Sequence, residues 1–370
     1  MTLHIVSFNV PYPADYGGVI DVFYRLKALH SLGIDIHLHT FTYGRPQAPE
    51  LEQYCSEVTY YQRHTGLLSA LSTKPYIVQS RDNSLLIENL KKDNAPVFLE
   101  GLHCCSVLEA IDGQRVMVRA HNVEHDYYSN LASVESNPLR RLYLRTDARR
   151  LRRYEPVLLK AGTVFAVTEA DAAHFRSIGC RDVVLMPSSH ADDEVSSLPG
   201  RGDYALYHAD LSVGENIDAV RYLADHVFSR SDSRLVVAGR NPSPLIYKTV
   251  GKYSNISVVP NPDEATMQSL ITNAQVLILV TSLPTGLKLK LLNSLYAGRH
   301  CLVNSAMVAG TQLDKLCTVA NTPDEQLAAL QSLMQTPFTE EDIQRRSALL
   351  GNLYSNQSNA RKILSRIEPR

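Results

Sequence analysis

Three things are scarce in this chain, and each scarcity narrows what it does. It has no excess of charge of one sign: 37 lysines and arginines stand against 38 aspartates and glutamates, for a net charge of −1. A dedicated nucleic-acid binder relies on a broad basic surface, so that class is disfavoured, and any anion site must be local. Metal-ligand and redox spacing is absent too. The six cysteines, at 55, 104, 105, 180, 301 and 317, form no CxxC or Cys/His pattern, and several sit inside apolar runs, as buried free thiols do. Finally, no apolar run approaches the roughly 18 residues that span a bilayer, and the strand-like opening Leu3 to Phe8 follows no charged leader. These features predict a cytoplasmic protein, soluble or peripheral on the inner face of a membrane. Repeats and low-complexity tracts are also missing.

What is there is an alternation of strand-like and helical patterns over a chain of 370 residues, more than one hydrophobic core usually serves. The predicted class is α/β with parallel sheets. Strands are expected at Leu3 to Phe8, Ile34 to Phe41, Val97 to Glu100, Val116 to Arg119, Val164 to Thr168 and Val183 to Met186. From Pro187 to Asp203 the apolar periodicity disappears among turn formers, which marks a linker. A second series follows at Tyr204 to Ala209, Arg234 to Ala238, Ile256 to Pro260, Val276 to Val280 and Cys301 to Val303, and a long helical pattern runs from about Glu340 to Ile367. The expected division is residues 1–190, 203–340 and a C-terminal helix over 341–370 that packs back on the first domain.

Thr285-Gly-Leu-Lys-Leu-Lys-Leu-Leu-Asn-Ser-Leu-Tyr-Ala-Gly298 is the most informative stretch. It follows the buried strand at 276 to 280, breaks at Pro284 to Gly286, and then repeats leucines at helical spacing. In an open α/β sheet such a junction lies where ligands bind, and the free N–H groups and positive dipole end of a helix suit a diphosphate. Lys288 and Lys290 oppose the dipole there, a cost that a nearby anion would offset. A solvated lysine pair on an ordinary helix is the plainer reading. Gly17-Gly18, after the first strand, has the same grammar and would let backbone N–H groups approach a ligand, or would simply make a tight turn. Neither site is the GxGxxG dinucleotide fingerprint.

Taken in order, these segments resemble the GT-B glycosyltransferases of family 4. Pro11-Tyr-Pro-Ala-Asp-Tyr-Gly-Gly18 is similar to that family's glycine loop, Arg119-Ala-His121-Asn-Val-Glu124 to its histidine loop, and Phe165-Ala-Val-Thr-Glu-Ala-Asp171 to its valine-serine-x-x-aspartate strand end. Tyr207-His-Ala-Asp-Leu-Ser212 and Val237-Ala-Gly239 resemble the opening strands of its second domain, and Thr285 to Gly298 its donor loop and helix. The resemblance implies two Rossmann-like domains facing each other across a cleft. It also implies a nucleotide diphosphate sugar held mainly by the second domain, an acceptor held mainly by the first, and retention of configuration without a cofactor or bound metal. The chain departs from the pattern at two points. Thr285 and Asn293 stand where the family commonly has two glutamates, and Asp210 and Glu215 stand about where it has a basic pair.

On this reading His121, Gly18 and Lys288 are the catalytic candidates. Gly17, Asp21, Glu124, Arg240, Thr285, Gly286, Leu287, Lys290 and Asn293 are the substrate-binding candidates, and no metal ligand is expected. Arg240 and Arg299 are further sources of positive charge for the phosphates. His121 is expected on the sugar and acceptor side, with Glu124 orienting its imidazole or capping the following helix. Asp21 would reach an acceptor hydroxyl or stabilise its own helix, and Glu100 to His103 is a second polar group at the same sheet edge. Arg141, Arg145, Arg149 and Arg153 recur every four residues within an arginine-rich helix from Arg140 to Arg153. That stripe suits an anionic membrane surface or lipid-phosphate acceptor, or else is a solvated face balanced by Asp147 and Glu155. The predicted function is a retaining hexosyltransferase acting on a glycan, polysaccharide or glycolipid. An epimerase or phosphorylase on the same fold, or a catalytically silent carbohydrate-binding subunit, are the rivals.

Overall fold

Uninterrupted apolar runs become parallel strands, because a strand covered by helices on both faces has no solvent side to keep polar. The computed structural model describes residues 1–66, 72–135, 137–283 and 288–367. Two units emerge, Met1–His190 with Tyr354–Arg370, and Ala191–Leu353.

The first unit is built on seven strands: β1 Thr2–Ser7, β2 Asp35–Thr42, β3 Glu57–Gln62, β4 Val97–Glu100, β5 Val116–Ala120, β6 Thr163–Ala166 and β7 Val183–Leu185. They lie in the order β3-β2-β1-β4-β5-β6-β7, and every pairing is parallel. Strand β3 escapes the sequence reading. It is a half-exposed edge strand, Glu-Val-Thr-Tyr-Tyr-Gln, with no continuous apolar run. The second unit has six parallel strands: β8 Ala205–Asp210, β9 Leu235–Arg240, β10 Ile256–Pro260, β11 Val276–Leu279, β12 His300–Val303 and β13 Thr318–Val319. Their order is β10-β9-β8-β11-β12-β13. In each sheet the strand order reverses once, between β1 and β4 and between β8 and β11. These are the switch points at which open α/β sheets bind ligands.

The Gly17–Ser31 helix follows β1 and turns Val19, Val22, Leu26 and Leu29 into the first core. The single C-terminal helix expected from the sequence is two helices, Glu340–Leu353 and Asn356–Leu364. Ser355 sets the break by capping the second one, its hydroxyl accepting from the Ser358 N–H at 3.2 Å. The first of these helices belongs to the second unit and the other to the first. There Ala360 and Ile363 are fully buried and the helix packs on Gly17–Ser31. The chain leaves and re-enters this unit at one knot of hydrogen bonds. Asn356 accepts from the His190 N–H at 3.2 Å and donates to the His190 carbonyl at 2.8 Å, and the His190 imidazole reaches the Tyr354 carbonyl at 2.9 Å. All six cysteines are free and all but Cys317 are buried. Among the described residues, no helix is long and apolar enough to cross a membrane.

Candidate functional site

The switch point of the second sheet is followed on one side by the Gly214–His226 helix and on the other by Leu289–Ala297. Lys288 is the N-cap of the latter, with extended backbone, and Lys290 lies in its first turn. Both ammonium groups feel the Glu215 carboxylate, and Lys290 also feels Lys288. The Lys290 ammonium donates to Asn216 Oδ1 at 3.1 Å and sits 5.2 Å from the centre of the Tyr207 ring. Burial lowers both lysines, with Glu215 opposing, and takes Lys290 down to about 8. Neither lysine is therefore the freely solvated cation of the plainer reading.

Glu215 accepts a hydrogen bond from the Thr281 hydroxyl, two residues past β11. Together with Asn304, Asn321 and Gln326 these two line a cavity of about 310 Å³, at the lower end of small-molecule pockets. Asn293 is half-buried on the Leu289–Ala297 helix. Arg240 is exposed at the end of β9, 3.8 Å from Asp210. Arg299 is not available to a phosphate. It is buried, and its guanidinium donates to the Thr272 and Ala274 carbonyls at 2.8 and 3.1 Å. Thr285, Gly286 and Leu287 lie outside the described residues.

At the switch point of the first sheet, Gly17 is exposed and begins its helix, whereas Gly18 is packed. A Cβ added at Gly18 would come within 2.8 Å of the Phe8 ring. A neighbour in the protein thus already limits the room at this position. Phe8 also meets the rings of His103 and His121, with centroids 5.2 and 5.5 Å away.

His121, just past β5, is gripped by two carboxylates. Its Nε2 is 3.0 Å from Glu100 Oε2 and its Nδ1 is 3.4 Å from Asp21 Oδ2. The groups that orient the imidazole are thus Glu100 and Asp21, not Glu124. Glu124 begins the Glu124–Val134 helix without capping it and is buried. Burial pushes its carboxyl up to about 7, and Asp171 and Glu155 add to the rise against a hydrogen bond from Asn122.

Asp21 does not present itself to an acceptor, being almost wholly buried within a charge network. Its carboxylate pairs with Arg25, meets Arg119 Nε at 3.0 Å and accepts from the Ser189 N–H at 2.6 Å. Arg25 also reaches Glu100 at 3.1 Å. Burial alone would raise the Asp21 carboxyl, but Arg119, Arg25 and His121 together overcome it and hold it well below the usual carboxylate range. Two carboxylates are thus matched by two guanidiniums, which is how buried charge is tolerated.

Sequence reasoning did not assign the roles of Arg25 and Arg119. The signals were present: Asp21 and Arg25 are four residues apart on an otherwise apolar helix face, and Arg119 ends the buried run Val116-Met-Val. A charge inside such a run must have a partner. His103 is half-buried, and its Nδ1, shielded from solvent, has no hydrogen-bond partner among the described residues. Burial first, and then Arg81, push it well below the ordinary histidine value.

The arginine-rich segment is the helix Pro138–Tyr154, started by Asn137, whose side chain accepts from the Leu139 and Arg140 N–H groups at 3.0 and 3.1 Å. Asp147 and Glu155 face inward and are buried, so they do not balance the exposed arginines. Arg141 is spent locally, donating to the Glu135 carbonyl at 2.8 Å. Arg145, Arg149, Arg152 and Arg153 remain exposed. On the same helix Leu139 and Leu142 stand 78% and 62% open to solvent. Among the described residues these four arginines form no ion pair, so an exposed leucine pair lies on the same helix as an excess of positive charge.

No protein-family model matches the chain. An uncharacterised 44.6 kDa protein in the cps region of Klebsiella pneumoniae is 33% identical over 148 residues, a stretch that spans 38% of each protein. Solved structures match along the whole length. A variant of TarM from S. aureus, in complex with fondaparinux, alpha-GlcNAc-glycerol and UDP, superposes with a TM-score of 0.67 at 10% identity, covering 100% of both chains. The lipopolysaccharide outer core galactosyltransferase WaaB gives 0.65 at 11% identity over 99% of each chain. HepE from Anabaena, in complex with UDP and glucose, gives 0.64 at 10% identity over 99% of this chain and 98% of its own. At such identities the likeness establishes architecture, and the architecture is GT-B, with two Rossmann-like parallel-sheet domains.

Proposed function

We propose that the chain is a retaining hexosyltransferase, a divergent member of family 4, that moves a sugar from a nucleotide diphosphate sugar to a glycan, polysaccharide or glycolipid. The observation that carries this reading is the convergence of Lys288 and Lys290 at the start of the helix after β11, on a GT-B fold. Free N–H groups, the positive end of the helix dipole and two desolvated cations suit a diphosphate, and they stabilise it most when it departs carrying extra charge. No metal or cofactor is needed for that step. HepE and the TarM variant were both solved with UDP, which supports the same kind of donor here.

In this reading Asn293 hydrogen-bonds the nucleotide ribose in place of a glutamate, a contact weaker by about 1 kcal/mol. His121 acts on the sugar and acceptor side. Glu100 and Asp21 hold its imidazole in place there. Leu139, Leu142 and the exposed arginines rest on an anionic membrane, where a cytoplasmic enzyme would meet a lipid-linked acceptor.

The test is thermal-shift screening against a panel of nucleotide sugars, followed by a transfer assay. A ligand at 100 times its dissociation constant stabilises by about 2.7 kcal/mol. Stabilisation by one donor together with acceptor-dependent consumption is expected. Donor conversion without acceptor would favour an epimerase, and a phosphate requirement a phosphorylase. No response to any nucleotide sugar would leave a silent carbohydrate-binding subunit.

A further inference from the structure

We propose that His125, Glu155 and His174 form a binding site for a divalent cation of the zinc class, separate from the transfer chemistry, that ties three helical elements of the first unit together. His125 is the second residue of the Glu124–Val134 helix, Glu155 follows the Pro138–Tyr154 helix, and His174 lies in the Glu169–Ser177 helix. Their potential ligand atoms all lie within 4.8 Å of one another. One carboxylate oxygen, Glu155 Oε2, stands 2.8 Å from His174 Nε2 and 3.4 Å from His125 Nε2. A tetrahedral zinc ion about 2.0 to 2.1 Å from each ligand spaces its ligand atoms by about 3.3 Å, inside the range from 2.8 Å to the 4.8 Å bound over which these atoms lie.

Two further observations favour a cation over hydrogen bonds alone. The Glu155 side chain is only 6% exposed, and among the described residues neither lysine nor arginine forms an ion pair with it. The other carboxylate–histidine cluster, Asp21, Glu100 and His121, already holds Arg25 and Arg119. The charge of a bound divalent ion would offset the burial of this carboxylate, as arginines do in the other cluster. In addition, the second nitrogen of His125, Nδ1, lies 3.0 Å from the Asp126 carboxylate. That is the outer contact that fixes the tautomer and raises the basicity of a metal-bound histidine. Two imidazoles and one carboxylate suit zinc-class ions better than calcium or magnesium, which prefer all-oxygen sites. Three protein ligands leave one position for water, so the ion exchanges and a chelator reaches it.

The experiment strips the full chain with a chelator, titrates it with Zn²⁺ by calorimetry, and follows Co²⁺ substitution by visible absorption. One equivalent should bind, raise the unfolding temperature and give a tetrahedral cobalt spectrum. His174→Ala, at a partly exposed position, should weaken binding at least tenfold while circular dichroism stays native, and Asp126→Asn should weaken it by about tenfold. His125→Gln provides a second ligand test should His174→Ala misfold. His121→Ala should leave zinc affinity unchanged. The proposal is overturned by a folded chain that takes up no stoichiometric zinc, by undiminished uptake in folded His174→Ala and His125→Gln variants, or by loss of binding in His121→Ala instead.

Discussion

Arg25 reaches Glu100 across 3.1 Å, joining the first helix to the end of β4 with both side chains almost completely removed from solvent. Because the charges are matched, removing one member leaves another buried and alone. Such truncations cost about 3 to 5 kcal/mol. Arg25→Met should therefore lower the denaturant midpoint sharply. The double variant Arg25→Met, Glu100→Gln should recover part of the loss, as a double-mutant cycle in urea would show.

The same network sets an acid limit. The Asp21 carboxyl is held below its ordinary value of 3.8 in the folded chain. Its contribution to stability is thus complete above that value and is lost as pH falls through the depressed folded value. Unfolding followed from pH 6 downward should show a steep acid limb, and Asp21→Asn should flatten that limb while lowering stability at neutral pH. An unchanged limb would mean that other carboxylates dominate acid unfolding.

Lys290 gives the opposite signature. Its folded pKa of about 8 lies below the ordinary 10.5, so the unfolded chain holds the extra proton between those values and stability rises with pH across that window. Nucleotide affinity should fall over the same range as the ammonium is lost. Lys288→Ala and Lys290→Ala should each raise the nucleotide dissociation constant ten- to a hundredfold, the equivalent of about 1.5 to 3 kcal/mol for a charge-assisted bond. Isothermal calorimetry from pH 7 to 9.5 checks both expectations.

His121→Ala removes a ring held by two carboxylates and should lower turnover with little change in affinity for the free nucleotide. A parallel fall in both would put His121 in the donor-phosphate site or in the scaffold. Separating kcat from calorimetric Kd distinguishes the outcomes.

Gly18→Ala places a methyl group within 2.8 Å of Phe8, and such overpacking costs about 1 to 3 kcal/mol. If packing is the whole role of Gly18, adding Phe8→Leu should restore both stability and activity. Restored stability without restored activity would show that the glycine is also required at the substrate.

On vesicles, the wild-type chain should pellet with anionic lipid at low salt and release by about 0.5 M salt, since surface attraction is screened within a Debye length of about 8 to 10 Å at moderate salt. Replacing Arg145, Arg149 and Arg153 with Gln should abolish that binding, and Leu142→Gln should weaken it. Equal sedimentation of the triple variant would leave the helix as an ordinary solvated surface.

How far the chain could be read before folding depends on the range of the interaction concerned. Parallel central strands such as Val116–Ala120 and Val276–Leu279 announce themselves because burial on both faces demands continuous hydrophobicity. The helix starts at Gly17 and Lys288 are local too, set by a glycine turn and a break in apolar pattern. Edge strands such as Glu57–Gln62 carry no such pattern, because half of their surface faces water. What a charged residue does was decided only in three dimensions. Asp21 and Lys290 look alike in sequence, each a charge in the first or second turn of a helix after a strand. Folding encloses Asp21 between Arg25 and Arg119, a residue 98 positions away, while Lys290 is half-buried beside Glu215 and Asn216. Periodicity records which face of an element leaves water, but pairing energies depend on distance in space. The tertiary contacts therefore assigned Asp21 to the scaffold and left Lys290 as a candidate for the ligand.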